Sequence, residues 1–110
     1  MKKVKNIAVV TGSRSEYGIL KPLLNEIKSS KDLELFLYVT GMHLLKKYGL
    51  TIDSIKKDGI TSNKEIPMYE KEDTKEGYIG MGLSRGIENF TKAFIKNRPD
   101  ILLVFGDRFE

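Results

Sequence analysis

The sequence predicts a wound parallel α/β sheet, and three observations carry that prediction. Short apolar runs alternate with helical periodicity in the order strand, helix, strand, helix, short strand, helix, strand, the pattern of a parallel sheet joined by right-handed crossovers. The first and last runs, Ile7-Ala8-Val9-Val10 and Ile101-Leu102-Leu103-Val104-Phe105, each lead into a charged turn that contains glycine. The length of 110 residues suits one domain, able to bury roughly two-thirds of its unfolded surface.

Each element has its own signal. Residues 4–11 read as a buried strand, short, apolar and rich in β-branched residues. Ile19, Leu20, Leu23, Leu24 and Ile27 form one apolar face of a helix over about 19–29, with Pro22 in its first turn, where a missing N–H is tolerated. Leu33 to Thr40 is the second strand, and Gly41-Met42-His43 opens a short helical piece that ends near Gly49. Thr51 to Lys57 reads as a further helical segment. Ile60 and the stretch Ile66-Pro67-Met68 supply a short third strand, which Pro67 assigns to an edge, and Glu70 to Glu76 reads as loop.

A longer helix is expected from Thr74 or Lys75 to Asn97, with Ile79, Leu83, Ile87, Phe90 and Phe94 on one face. Its first half holds Gly77, Gly80, Gly82 and Gly86, each costing up to about 1 kcal/mol relative to Ala in a regular helix. They predict an irregular start or a close backbone approach. Arg98-Pro99-Asp100 ends the helix and feeds the strand 101–105.

Composition narrows the function classes. With no Cys and one His, disulfides, thiolate metal sites and zinc clusters drop out, and a reducing cytoplasm fits. The longest apolar runs are too short to span a bilayer, and the basic start has no small-residue cleavage site, so a soluble, cytoplasmic protein without a membrane partner is expected. The net charge of +4 is uneven: residues 1–55 carry nine Lys/Arg against five Asp/Glu, and residues 56–110 carry ten of each. That excess favours an anionic ligand. The lysines are scattered, without aromatic stacking or a recognition-helix pattern, which argues against nucleic acid.

In the strand order 3-2-1-4 the first and fourth strands are neighbours, and ligands bind in the crevice at their carboxyl ends. The two charged turns, Gly12-Ser13-Arg14-Ser15-Glu16-Tyr17-Gly18 and Gly106-Asp107-Arg108-Phe109-Glu110, would then share one crevice although some ninety residues separate them. Neither the dinucleotide Gly-x-Gly-x-x-Gly nor the Gly-x-x-x-x-Gly-Lys-Ser/Thr phosphate loop is present. What remains is an arginine-bearing anion loop opposite a carboxylate, suited to a phosphorylated or nucleotide-activated ligand and to proton transfer.

These turns, together with Thr40-Gly41-Met42-His43-Leu44, Tyr48-Gly49 and Arg98-Pro99-Asp100, resemble the N-terminal part of hydrolysing UDP-N-acetylglucosamine 2-epimerases. The resemblance spans essentially the whole chain through several ordered motifs. It implies a two-domain protein of the GT-B type with the nucleotide sugar in the interdomain cleft, release of UDP and of an epimerised 2-acetamido sugar such as N-acetylmannosamine for sialic-acid-type biosynthesis, no cofactor, and a homo-oligomer at full length. Because members of that family are several times longer, residues 1–110 are read as part of a first Rossmann-like domain, inactive alone, with an exposed apolar edge at 101–105.

On the family's motifs Asp107 is the acid/base candidate and Arg14 the diphosphate anchor. His43 is a second catalytic candidate, against the alternative of a structural histidine. Glu16, Tyr17, Arg108 and Glu110 are substrate-binding candidates, and each has a structural reading beside the functional one: helix-end charge for Glu16, packing for Tyr17, a salt bridge to Asp107 for Arg108, a bare chain end for Glu110. The chain departs from some members, animal enzymes among them, in having Phe105 where they have His before the Gly-Asp-Arg turn. A GT-B glycosyltransferase half and a flavodoxin-like binding module without enzyme activity are the alternative readings.

Overall fold

The computed structural model describes residues 4–44, 52–60, 63–70 and 72–105. Its elements are β1 (Lys5–Thr11), α1 (Arg14–Ser29), β2 (Leu33–Thr40), a 3-10 turn (Gly41–Leu44), α2 (Ile52–Lys57), β3 (Asn63–Ile66), α3 (Tyr78–Lys96) and β4 (Ile101–Leu103). All strands are parallel, in the order β3-β2-β1-β4. The predicted Rossmann-like winding and the adjacency of first and last strands are therefore observed. β3 stands at an edge and stops at Ile66, because Pro67 has no N–H for the ladder.

Strand alternation divides the core into two layers. Ile7, Val9, Leu35, Leu37 and Val39 pack with Tyr17, Leu20, Leu24 and Ile27 of α1 and with Ile55 and Ile60 around α2. Ala8, Tyr38 and Ile66 pack on the opposite face with Ala93, Phe90 and Phe94 of α3. The Tyr38 ring meets Phe94 edge-on at 5.2 Å between centroids, the geometry aromatic quadrupoles favour. β4 is held at its start by Asp100, whose N–H donates to the Asn6 carbonyl at 2.9 Å while its carboxylate accepts from the Asn6 N–H at 2.7 Å.

Several expectations need correction, the third strand among them: β3 spans Asn63–Ile66 and shares only Ile66 with the predicted Ile60 and Ile66-Pro67-Met68. α1 begins at Arg14, not near Ile19, because Ser13 caps it; Pro22 therefore lies inside the helix, with its ring at an exposed position. The apolar face is Tyr17, Leu20, Leu24 and Ile27, while Ile19 and Leu23 are exposed. In α3 the inward face is Gly82, Gly86 and Ala93, and Ile79 and Ile87 point outward. The glycines create a notch: a Cβ on Gly82 would stand 2.7 Å from the Tyr69 ring, and one on Gly86 3.0 Å from Met68. The close approach predicted from the glycines is found at those two positions, and the irregular start is a turn over 75–77. The expected helical continuation to Gly49 lies outside the described residues. β4 ends at Leu103, two residues short of the predicted strand.

Candidate functional site

The carboxyl edge of the sheet is built where β1 and β2 end. Ser13 has extended backbone, φ −153° and ψ 161°, and its Oγ accepts from the Glu16 N–H at 3.4 Å. Glu16 reaches back, its Oε1 accepting from the Gly12 N–H at 3.0 Å and from the Ser13 hydroxyl at 3.4 Å. This is a capping box displaced by one residue, and it closes the turn on itself. Glu16 thus places its charge at the positive end of α1, as its structural reading expects, with Oε1 bonded inside the loop.

Beneath that turn lies a buried polar group. The Thr11 Oγ1 is 2.9 Å from His43 Nε2, and both side chains have no exposed surface. Gly41 has a left-handed φ of 62°, a conformation glycine adopts without strain, and the 3-10 turn it opens brings His43 under the end of β1. Burial pushes the imidazole down to about 4, against a smaller opposing effect from the Ser13 backbone. The Tyr17 ring meets it edge-on, with centroids 6.2 Å apart.

Tyr17 is itself buried and donates its hydroxyl to Asp58 Oδ2 at 2.7 Å. Burial, and then the Asp58 carboxylate, raise the phenol above its ordinary range. The same hydroxyl, with Lys21 at 3.3 Å, holds Asp58 below the usual carboxylate range. Tyr17 therefore ties α1 to the end of α2. Its helix spacing with Leu20 and Leu24 carried that packing role; no sequence signal paired it with Asp58, 41 residues away.

A second segment reaches the same edge after β3. The Thr40 hydroxyl donates to the Ile66 carbonyl at 2.6 Å, and beyond it Pro67, Met68, Glu70 and Asp73 meet side chains of α3. Arg85 bonds both oxygens of Asp73 and the Met68 carbonyl, and its Nε lies 3.4 Å from Glu70. Asn89 donates to the Pro67 carbonyl at 2.8 Å. Arg85, and after it the Glu70 N–H, lower the Asp73 carboxyl to about 2. The sequence predicts loop only from Glu70 to Glu76 and assigns Pro67 and Met68 to the third strand, which in fact ends at Ile66; nothing in it singles out Arg85, Asp73 or Thr11. A lone Arg in a helix gives no warning of its partner.

Thr11, Ser13, Glu16, Tyr17 and His43 are thus brought together at one edge. The Arg14 side chain and residues Asp107, Arg108 and Glu110 lie outside the described residues. Their parent strands are neighbours: β4 runs beside β1 with Leu103 opposite Val9. Among the described residues no cluster of metal-ligating side chains occurs, and no helix is long and apolar enough to cross a membrane.

Residues 25–110 match the family model described as UDP-N-acetylglucosamine 2-epimerase. The chain is 33% identical over 107 residues, 97% of its length, to the hydrolysing UDP-N,N'-diacetylbacillosamine 2-epimerase of Legionella pneumophila, and 36% identical over the same span to polysialic acid biosynthesis protein P7 of Escherichia coli. It spans 28% and 27% of those relatives. The crystal structure of UDP-GlcNAc 2-epimerase from Neisseria meningitidis bound to UDP-GlcNAc superposes with a TM-score of 0.75 at 16% identity, covering 94% of this chain and 26% of that one. At that identity the likeness is one of fold.

Proposed function

The chain belongs to the UDP-N-acetylglucosamine 2-epimerase family, and from that premise we propose that it supplies the first part of the nucleotide-sugar site of a hydrolysing 2-epimerase that releases UDP and an N-acetylmannosamine-type sugar. The observation that supports the reading is the parallel adjacency of β1 and β4: the residues that follow these strands in sequence, Arg14 after one and Asp107 after the other, are thereby expected at one edge of the sheet, where wound sheets bind ligands. The rest of the first domain, the second domain of the cleft, a soluble cytoplasmic setting and self-association belong to the same proposal.

The chemistry asks for two things at that edge. A base removes the proton from C2 as the C1–O bond breaks and UDP leaves with the electron pair; water then adds to the resulting glycal, its oxygen to C1 and a proton to C2 from the opposite face. Asp107 is assigned to proton transfer and Arg14 to the leaving diphosphate, with Arg108 and Glu110 beside them. Glu16 and Tyr17 serve the site by shaping the turn, since Glu16 Oε1 and the Tyr17 hydroxyl are bonded within the protein.

The test uses the complete enzyme with UDP-N-acetylglucosamine in heavy water. Free UDP, and an epimerised sugar carrying deuterium at C2, are expected. Full retention of the original C2 hydrogen, or a glycoside product, overturns the reading. Asp107→Asn should lower kcat by about 10²–10⁴ with much of the affinity kept, whereas Arg14→Ala should weaken binding and turnover together.

A further inference from the structure

We propose that His43 is a positioning residue, which through its bond to Thr11 fixes the turn that carries Gly12, Ser13 and Arg14 into the crevice, and that it makes no proton transfer to the substrate. The role assigned to the crevice rests on the proposed function; the hold on the turn does not.

The argument is first geometric. His43 has no exposed surface, and further chain packed on this segment can only cover it more, so a substrate does not reach the ring while the turn is in place. Its Nε2 is bonded to Thr11 Oγ1 at 2.9 Å, and Thr11 is the last residue of β1 before the turn. The Thr11 hydroxyl also points at the Ser13 carbonyl, at a long 3.5 Å, and that carbonyl accepts the Tyr17 N–H at 3.0 Å in the first turn of α1. Strand end, histidine and helix start are therefore one connected unit. The Tyr17 ring limits movement of the imidazole from the helix side.

The chemistry agrees. An imidazole held neutral down to about pH 4 gives no positive charge to a diphosphate. At neutral pH it is also a weak base for a carbon acid, far from the matched value that general catalysis favours. A neutral ring does have one donor and one acceptor nitrogen, which suits a buried hydrogen-bond bridge.

Three variants of the complete enzyme test this. His43→Leu and Thr11→Val remove the bond; His43→Gln keeps a neutral polar group of similar reach but cannot serve as an acid or base at neutral pH. Amide hydrogen exchange of residues 12–17 is followed without ligand, together with kcat, KM for UDP-N-acetylglucosamine and the Kd of UDP. Faster exchange in the Leu and Val variants is expected, with UDP affinity lower by about tenfold or more, and His43→Gln should restore both and most of kcat. A loss of about 10²-fold or more in kcat for His43→Gln with slow exchange retained would instead make the histidine a proton-transfer group. Wild-type exchange and UDP affinity in Thr11→Val would also overturn the proposal, and that variant decides the question if His43→Leu fails to fold. A wild-type enzyme that does not act on the nucleotide sugar refutes the functional reading alone, and the exchange measurement still judges the hold on the turn.

Discussion

Two segments meet the carboxyl edge of the sheet, and they are held by opposite means. Residues 11–17 are fixed by short-range bonds among buried polar groups, with Thr11, Ser13, Glu16 and His43 largely shielded from water. Residues 67–70 and 72–74 are fixed from α3, by the Arg85 guanidinium on Asp73 and Glu70 and by a glycine notch that receives Met68 and Tyr69. When one partner is removed from a buried hydrogen-bonded network the other is left unsatisfied at its full desolvation cost, whereas an ion pair whose cation is partly exposed is more readily screened. The first segment should therefore be brittle and pH-sensitive, the second compliant and salt-sensitive.

The largest expected effect comes from acid. His43 in the folded protein takes its proton at about 4 rather than at the ordinary 6.5, so between those values the unfolded chain binds a proton that the folded one refuses. Stability from this residue is complete above pH 6.5 and falls as pH drops toward 4, by up to about 3 kcal/mol. Urea unfolding of the wild type and of His43→Gln across pH 7 to 4 isolates it: the difference between the two should shrink or reverse as pH falls. Parallel curves would refute a buried, neutral histidine.

Next in size is the notch. Gly82→Ala gains helix propensity but drives a Cβ into the Tyr69 ring, and should destabilise by about 1–2 kcal/mol. Gly80→Ala, in the same helix with open space at its Cβ, should stabilise by about 0.5–1 kcal/mol. Thermal unfolding of both separates close packing from propensity; equal shifts in the same direction would remove the notch as an explanation for the glycines.

The smallest effect is expected at the guanidinium. Arg85→Lys keeps the charge but not the two-point grip on Asp73, so amide exchange over 68–74 should quicken while residues 12–17 stay as they were. Added salt should speed the same amides in the wild type. An equal response in both segments would mean that the two are coupled and that the contrast drawn between them is false.

The contrast also marks what was readable in the chain. β1, β2 and β4 were visible because runs of β-branched and other apolar residues leave few other arrangements, and β2 appears at the predicted bounds, Leu33–Thr40; β3, Asn63–Ile66, is mostly polar and was legible only at Ile66. Helix α1 was read five residues late because apolar periodicity begins at Ile19, while the true start is set by Ser13 and Glu16, a polar cap whose box is displaced to Gly12. In α3 the spacing of Ile79, Leu83 and Ile87 suggested an apolar face. The glycine face won because it admits Met68 and Tyr69 from a segment more than ten residues away.

The sequence by itself determined the parallel winding, the neighbouring first and last strands, the placing of both motif turns after those strands, and the family. The winding and the strand order follow from local periodicity and from the handedness of crossovers, which every residue of an element expresses at once, whereas the family follows from the ordered motifs that the chain shares with its relatives. Only the tertiary structure decided what the individual polar side chains do. That His43 bonds Thr11, that Tyr17 serves Asp58, and that Arg85 holds Asp73 each depend on one distance across the fold. A hydrogen bond is satisfied by any partner that arrives in reach, and no spacing along the chain records which one does.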